Sequence, residues 1–339
     1  MLLLLVCVVA AGEILTRWWD RGMRGSGSLY DYVVPSATRF KMKPGAVVDV
    51  PERYGAVRYS FNAQGYRDRD HRPDPGRRAI VLLGDSVTFG LSVDQHSTYA
   101  EVLQRNLDAA RGPRYDVVNL ALFSYHSGHE LAAFREDAAR LRPVLVVTQF
   151  YMNDFEQLSV EPRSTPPRPG LGARLVAAKN LYLNRSALFR RGRQGILRAN
   201  YLLLHDLRRR RFPDTLNDDE PHRQLAYLNE RPDDAAIPAF ASLLAIRDEA
   251  TAMGARFVLV TTPNEVQLFT RRFDGIDARL RRFCSRNHIP LVETLPLFRS
   301  GSRPEAFFLD GLHLTAEGHQ RVGTHLTARL ETLLHSPAP

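Results

Sequence analysis

Five short apolar runs, interleaved with segments of helical pattern, constrain this chain more than any other feature. They are "AIVLL" from Ala79, "YDVVNLAL" from Tyr115, "VLVVTQF" from Val144, "RFVLVTT" from Arg256 and "IPLVET" from Ile289. None alternates strictly between apolar and polar residues. Continuous runs of this length suit strands buried on both faces, as in a parallel sheet covered by helices. Helical patterns occupy about 98–110, 128–141, 237–253, 275–287 and 315–334. The expected fold is a doubly wound α/β sandwich of about five parallel strands, with helices on both faces. At 339 residues the chain can hold one large domain or two small ones.

Three stretches stand outside this alternation. The apolar run from Leu2 to Leu15 meets Arg17, Trp18 and Trp19. As a helix, Leu2 to Thr16 spans roughly 22 Å, short of the ~30 Å hydrocarbon core. Residues 1–24 therefore read as a membrane anchor or signal-like segment, with a buried N-terminal helix as the alternative. The tryptophan pair suits a membrane interface. Arginines following the run favour a cytoplasmic body, whereas a basic stretch ahead of it reverses that orientation. The expectation taken here is an anchored chain with an extracytoplasmic, periplasmic body. Residues 25–77 read as an irregular lead-in with β-like pieces at "GAVVDV" and "VRYSF". The main domain is expected over 78–335, interrupted at about 156–234 by a helical insert. Its most basic part, "LLLHDLRRRRF", is either a solvated helical face or a contact for anionic lipid or glycan.

Charge and cysteine content narrow the classes. The net charge of +9 comes almost wholly from arginine, since Lys41, Lys43 and Lys179 are the only lysines. Such a balance suits anionic membranes, acidic glycans or nucleic acid. No zinc-finger spacing, aromatic RNA-binding signature or basic zipper accompanies it, so nucleic acid is not an expected partner. With Cys7 inside the apolar leader, its pairing with Cys284 in a structural disulfide is not expected. Nothing in the sequence specifies an oligomer.

In an open α/β sheet, ligands bind at the carboxyl ends of the strands. The polar residues at those ends are Gly84-Asp85-Ser86, then Asn119 with "FSYHSG", then "YMNDF". Before the last helix stands "FFLDGLHLTAEGH". A serine nucleophile needs a base, an oriented imidazole and donors for the oxyanion. Asp310 and His313 are three residues apart, so one turn can bring both side chains to one face. Asn153 can supply an amide donor, and backbone N–H groups of Ser86 and the strand-two turn can complete an oxyanion hole. The bland alternative for Ser86 is a helix cap. Asp85 reads as a buttress of the nucleophile turn, Asp154 as a turn or capping residue, and His319 as packed within the last helix. His126 and His129 can line the pocket, but with no third ligand in view no metal is expected.

With these residues in place, the chain resembles the SGNH/GDSL hydrolase superfamily of serine esterases and acyltransferases. "GDSVTFG" matches the nucleophile block, "MND" the asparagine block and "DGLHLTAEGH" the block of the acid and histidine. "FNAQGYRDRD" resembles the lead-in of membrane-anchored bacterial members. The resemblance implies a flavodoxin-like sheet and no cofactor. It implies a triad of Ser86, Asp310 and His313, and an oxyanion hole formed by Ser86, Ser124 and Asn153. Three positions depart from the family pattern. Ser124 replaces a glycine whose N–H enters the oxyanion hole, Tyr151 replaces a glycine before the asparagine, and Val87 replaces the leucine of "GDSL". The expected function is hydrolysis of an O-acyl ester, acetyl foremost, on a glycan or lipid. O-acyl transfer to a cell-surface polysaccharide is the second reading, and a non-catalytic glycan-binding module the third.

Overall fold

A computed structural model describes residues 29–36, 38–52, 55–71, 76–155, 219–301 and 303–335. The leader over 1–24 and all of the insert before residue 219 lie outside them. Two antiparallel ribbons come first: β1 (Val33–Pro35) with β2 (Phe40–Met42), and β3 (Val47–Glu52) with β4 (Gly55–Ser60). The two β-like pieces of the lead-in are thus partners. The central sheet contains β5 (Arg78–Leu83), β6 (Tyr115–Asn119), β7 (Leu145–Phe150), β8 (Arg256–Thr261) and β9 (Leu291–Glu293). All its pairings are parallel, in the order β6-β5-β7-β8-β9. The order reverses at β5, which sets the switch-point crevice at the carboxyl end of that strand.

The apolar runs explain the sheet. Every residue of β7 is buried, as are Ile80 to Leu83 of β5 and Phe257 to Thr261 of β8. Each fully buried valine or leucine contributes about 1.5–3 kcal/mol relative to exposure. Helices cover both faces: α1 (Ser86–Phe89), α2 (Tyr99–Arg111), α3 (Ser127–Ala133), α4 (Asp219–Asn229), α5 (Pro238–Ala252), α6 (Val266–Phe269), α7 (Asp274–Arg286), α8 (Leu295–Arg299) and α9 (Ala316–His335). One apolar layer joins α2 and α9 beneath the sheet, through Leu103, Leu107, Val322, Leu326 and Leu330. The opposite layer takes in α5 and α7, through Phe240, Leu243, Ile246, Leu280 and Phe283.

That second layer also includes Met42, Val48, Val57, Tyr59, Phe61 and Tyr66, so the ribbons contribute directly to the core. Polar contacts fix them there. The buried Arg39 guanidinium pairs with Glu136 and Asp137, and Lys41 pairs with Asp137 at 2.7 Å. The Tyr66 hydroxyl donates to the same Asp137 carboxylate at 2.6 Å. Breaking such a buried pair leaves an uncompensated charge, a loss of about 3–5 kcal/mol.

Two boundaries differ from the sequence expectation. The helix expected over 128–141 is α-helical only to Ala133, then widens into a π-turn over Phe134–Ala138 and a 3-10 turn over Ala139–Leu141. Arg142 follows in the left-handed region, with φ of 46°, and Pro143 after it cannot continue a helix. Strand two stops at Asn119, whose Oδ1 accepts from Ala121 N at 3.1 Å and turns the chain out of the sheet.

Candidate active site

The turn that carries Ser86 is built by close approach. Gly84 follows β5, and a Cβ there would lie 2.2 Å from Thr88 Oγ1 and 2.8 Å from Gln149 Oε1. Only glycine fits. Gln149 Oε1 accepts from Thr88 Oγ1 at 3.0 Å and from Asp85 N at 3.3 Å, while its Nε2 donates to Thr262 Oγ1 at 2.8 Å. Thr88 Oγ1 also bonds the Tyr99 hydroxyl at 2.6 Å. Asp85 is the N-cap of α1, its Oδ1 accepting from Val87 N at 2.8 Å. Burial pushes the Asp85 carboxyl up to about 6, against the Val87 N–H and the His313 charge, which favour ionisation. Gly90 closes the helix in the left-handed region, with φ of 77°. Ser86 is thus the first residue of a helix locked at both ends, and it is 8% exposed.

Asp310 and His313 arrive on the loop before α9. Asp310 Oδ1 accepts from His313 N at 2.7 Å and Leu312 N at 2.9 Å, so the carboxylate folds its own turn. Its Oδ2 lies 2.8 Å from His313 Nδ1, and His313 Nε2 lies 2.8 Å from Ser86 Oγ. Leu309 N donates to His313 O at 2.7 Å, which pins the loop behind the ring. Partial burial pushes the Asp310 carboxyl up. The His313 hydrogen bond and charge, with the two backbone N–H groups, outweigh it and hold the group down at about 2. The carboxylate therefore stays ionised throughout the neutral range and fixes a proton on Nδ1. With that proton on Nδ1, Nε2 is the acceptor that faces Ser86 Oγ. Such an arrangement can perform acyl transfer.

Asn153 lies at the end of β7 in the 3-10 turn Met152–Asp154. Its neighbour Asp154 ties two loops together: Oδ2 accepts from Tyr151 N at 2.9 Å, and Oδ1 from Ser127 N at 2.8 Å. Burial pushes Asp154 well up, as it does Glu130, and each is pushed further by the Asp85 charge. Ser124 adopts φ of 61°, the left-handed conformation that glycine takes without strain. The Ser124 Oγ is 3.5 Å from the Tyr30 hydroxyl. If the Asn153 amide stabilises the oxyanion, Asn153→Ala should lower kcat by ~10²–10³ with little change in KM. Steady-state kinetics on p-nitrophenyl acetate check this, and a rise in KM alone would assign Asn153 to substrate binding.

The other three histidines that the sequence singles out have partners away from Ser86. His126 caps α3, its Nδ1 accepting from Gly128 N at 3.1 Å. His129 stacks on Tyr125 and is pushed down to about 4 by burial, with the His126 and Arg39 charges adding to it. His319 is buried in α9, where its Nδ1 accepts from Tyr99 N at 3.2 Å.

The model of the GDSL-like lipase/acylhydrolase family matches residues 82–321, which span β5 to α9 and the whole site. The chain belongs to that family. As a GDSL-type acylhydrolase it shares the SGNH hydrolase fold, a five-stranded parallel sheet flanked by helices. Among solved structures it is similar to TesA, at 17% identity and a TM-score of 0.45, covering 76% of this chain and 99% of TesA. It is also similar to a lipase/acylhydrolase from Enterococcus faecalis, at 14% identity and a TM-score of 0.43, covering 76% and 96% of the two chains. An acetyl xylan esterase, AlAXEase, aligns at 12% identity and a TM-score of 0.44, over 74% of this chain and 99% of its own. No curated protein sequence matches.

The structure brings Ser86, His313 and Asp310 together, as the sequence expects, and adds Gln149, Thr88 and Glu220, which sequence reasoning missed. Gln149 left a trace, as a polar residue one position from the end of an apolar run. Glu220, on α4, accepts from the Tyr151 hydroxyl at 3.0 Å, a contact between the end of the insert and the asparagine block.

Proposed function

We propose that this acylhydrolase cleaves an O-acyl ester, acetyl foremost, from a glycan or lipid. The observation that carries the proposal is the line from Ser86 Oγ through His313 to Asp310, with both contacts at 2.8 Å. Ser86 Oγ attacks the ester carbonyl as its proton passes to His313 Nε2. The tetrahedral oxyanion accepts hydrogen bonds from Ser86 N–H, the Asn153 amide and the Ser124 backbone. The intermediate collapses, the ester C–O bond breaks, and His313 returns the proton to the leaving alcohol. Water, deprotonated by His313, then attacks the acyl-enzyme to release the carboxylic acid and regenerate Ser86.

A small acyl group is supported by Tyr151, which fills the place of a family glycine and is fully buried. Its hydroxyl accepts from Asn264 Nδ2 at 2.8 Å and donates to Glu220. Asn264 adjoins Gly311 in the catalytic turn, so the Tyr151 ring is fixed between the two blocks. Tyr30 supports a glycan. It is 68% exposed beside Ser124, its ring edge-on to Phe123 with centres 5.1 Å apart, and an exposed aromatic can cover a sugar ring.

The test is to incubate the purified protein with an acetylated oligosaccharide, and with p-nitrophenyl acetate, butyrate and octanoate. Acetate release is expected, with rates falling as the acyl chain lengthens. Adding an unacetylated sugar should leave acetate yield unchanged. Diversion of acetate onto that sugar would replace hydrolysis by acyl transfer, and no release from any of the esters would overturn the proposal.

A further inference from the structure

The nucleophile helix α1 has four residues, too few to hold itself by helix propensity. Its carbonyls must be satisfied from outside, and they are. Ser86 O accepts from Gly90 N and Leu91 N, and Val87 O from Gly90 N. Thr88 O accepts from Asn119 Nδ2 at 3.0 Å. The last α1 carbonyl, of Phe89, and those of Gly90 and Val93 just past the helix accept from a residue outside the sheet. Arg67 Nη1 donates to Phe89 O at 3.2 Å and to Gly90 O, and Nη2 donates to Val93 O at 2.6 Å.

Arg67 is 2% exposed. Its guanidinium stacks 4.3 Å from the centre of the Tyr59 ring and 5.4 Å from that of Phe89. Tyr59 holds the same loop from the other side, its hydroxyl accepting from Ser92 N at 2.8 Å. A buried cation whose donors converge on helix-end carbonyls is matched to them in charge and direction. The planar fork reaches three carbonyls at once, which an ammonium on a shorter stem cannot do.

We infer that Arg67 is a positioning residue for Ser86, supplied by the lead-in rather than by the α/β sandwich. Ser86 and Phe89 belong to one helical turn, their Cα atoms about 4.5 Å apart along the helix axis. His313 arrives on a separate loop, so a shift of α1 is not followed by the imidazole. Loosening the Arg67 end of the helix therefore changes the Ser86–His313 contact itself. Asp68 acts alongside, its Oδ2 accepting from Asn119 N at 2.6 Å and so fixing the second support of α1. The "YRDRD" stretch thus closes the far side of the nucleophile turn.

The inference rests on Ser86 being the nucleophile, which labelling of the unaltered full chain by a fluorophosphonate reads separately. Arg67→Met keeps the stem and removes the donors. It should lower both the labelling rate and kcat on p-nitrophenyl acetate about 10²-fold, the cost of an ångström-scale misplacement, with KM within twofold. Arg67→Lys should fall between this variant and the unaltered chain. In Arg67→Ala, added guanidinium ion at concentrations that leave the unaltered chain unaffected should restore part of the rate, and ammonium should not. Folding is monitored by near-ultraviolet circular dichroism. A folded Arg67→Met that labels within twofold of the unaltered chain overturns the inference. So does activity lost only in proportion to unfolded protein. If Arg67→Met does not fold, Arg67→Lys decides, and failure of both to fold makes Arg67 a folding determinant and overturns the inference. If the unaltered chain is never labelled, the nucleophile assignment fails instead.

Discussion

Ser86→Ala is expected to lower kcat on p-nitrophenyl acetate by about 10⁶, the loss seen when a triad nucleophile is removed. The magnitude follows from what remains. Asn153, the backbone donors and the bound geometry still act, so a residual rate of about 10³–10⁴ over water persists. The fold should be unaffected. Ser86 Oγ contacts the imidazole of His313, whereas the helix is held by Asp85, Gly90, Asn119 and Arg67 through other atoms. Thermal unfolding should therefore shift by no more than a few degrees. Esterase assays alongside a melting curve separate the two effects, and activity surviving in a folded Ser86→Ala would remove Ser86 from the chemistry.

His313→Ala should cost a similar factor, because an unactivated serine hydroxyl is a poor nucleophile at neutral pH. The two losses should not add. Ser86→Ala combined with His313→Ala is expected to fall no further than either alone, since the pair acts as one unit. The loop should persist in His313→Ala, because Leu309 N bonds the backbone carbonyl of residue 313 and Asp310 Oδ1 accepts from backbone N–H groups. A double variant slower than both singles by a further 10³ would show that the side chains work independently, against the proposed relay.

The sheet was legible because burial on both faces demands unbroken apolar sequence, and "VLVVTQF" and "RFVLVTT" have no other reading as soluble strands. The position of the site followed from topology, since polar residues just beyond parallel strands gather at one edge. Asp310 and His313 were legible because one turn fixes their relation. Arg67, Asp68 and Arg69 were not. In sequence they belong to a lead-in read as irregular, and only its return against α1 buries Arg67 at 2% exposure. Gln149 was hidden for a related reason: its partners are Thr88 in α1 and Thr262 just past β8, both distant in sequence. The break at Ala133 was hidden because Phe134 to Leu141 keeps helical apolar spacing, while the hydrogen-bond register slips. Tertiary partners, not local preference, decide such positions.

The central claim is that Ser86 Oγ is the atom that attacks, and one measurement reads it directly. The full-length protein is treated with a fluorophosphonate, digested, and the modified peptide sequenced by mass spectrometry. A single adduct on Ser86, absent after His313→Ala on the same timescale, is the expected result. An adduct on any other residue, or labelling of Ser86 that is unchanged in His313→Ala, would contradict the account.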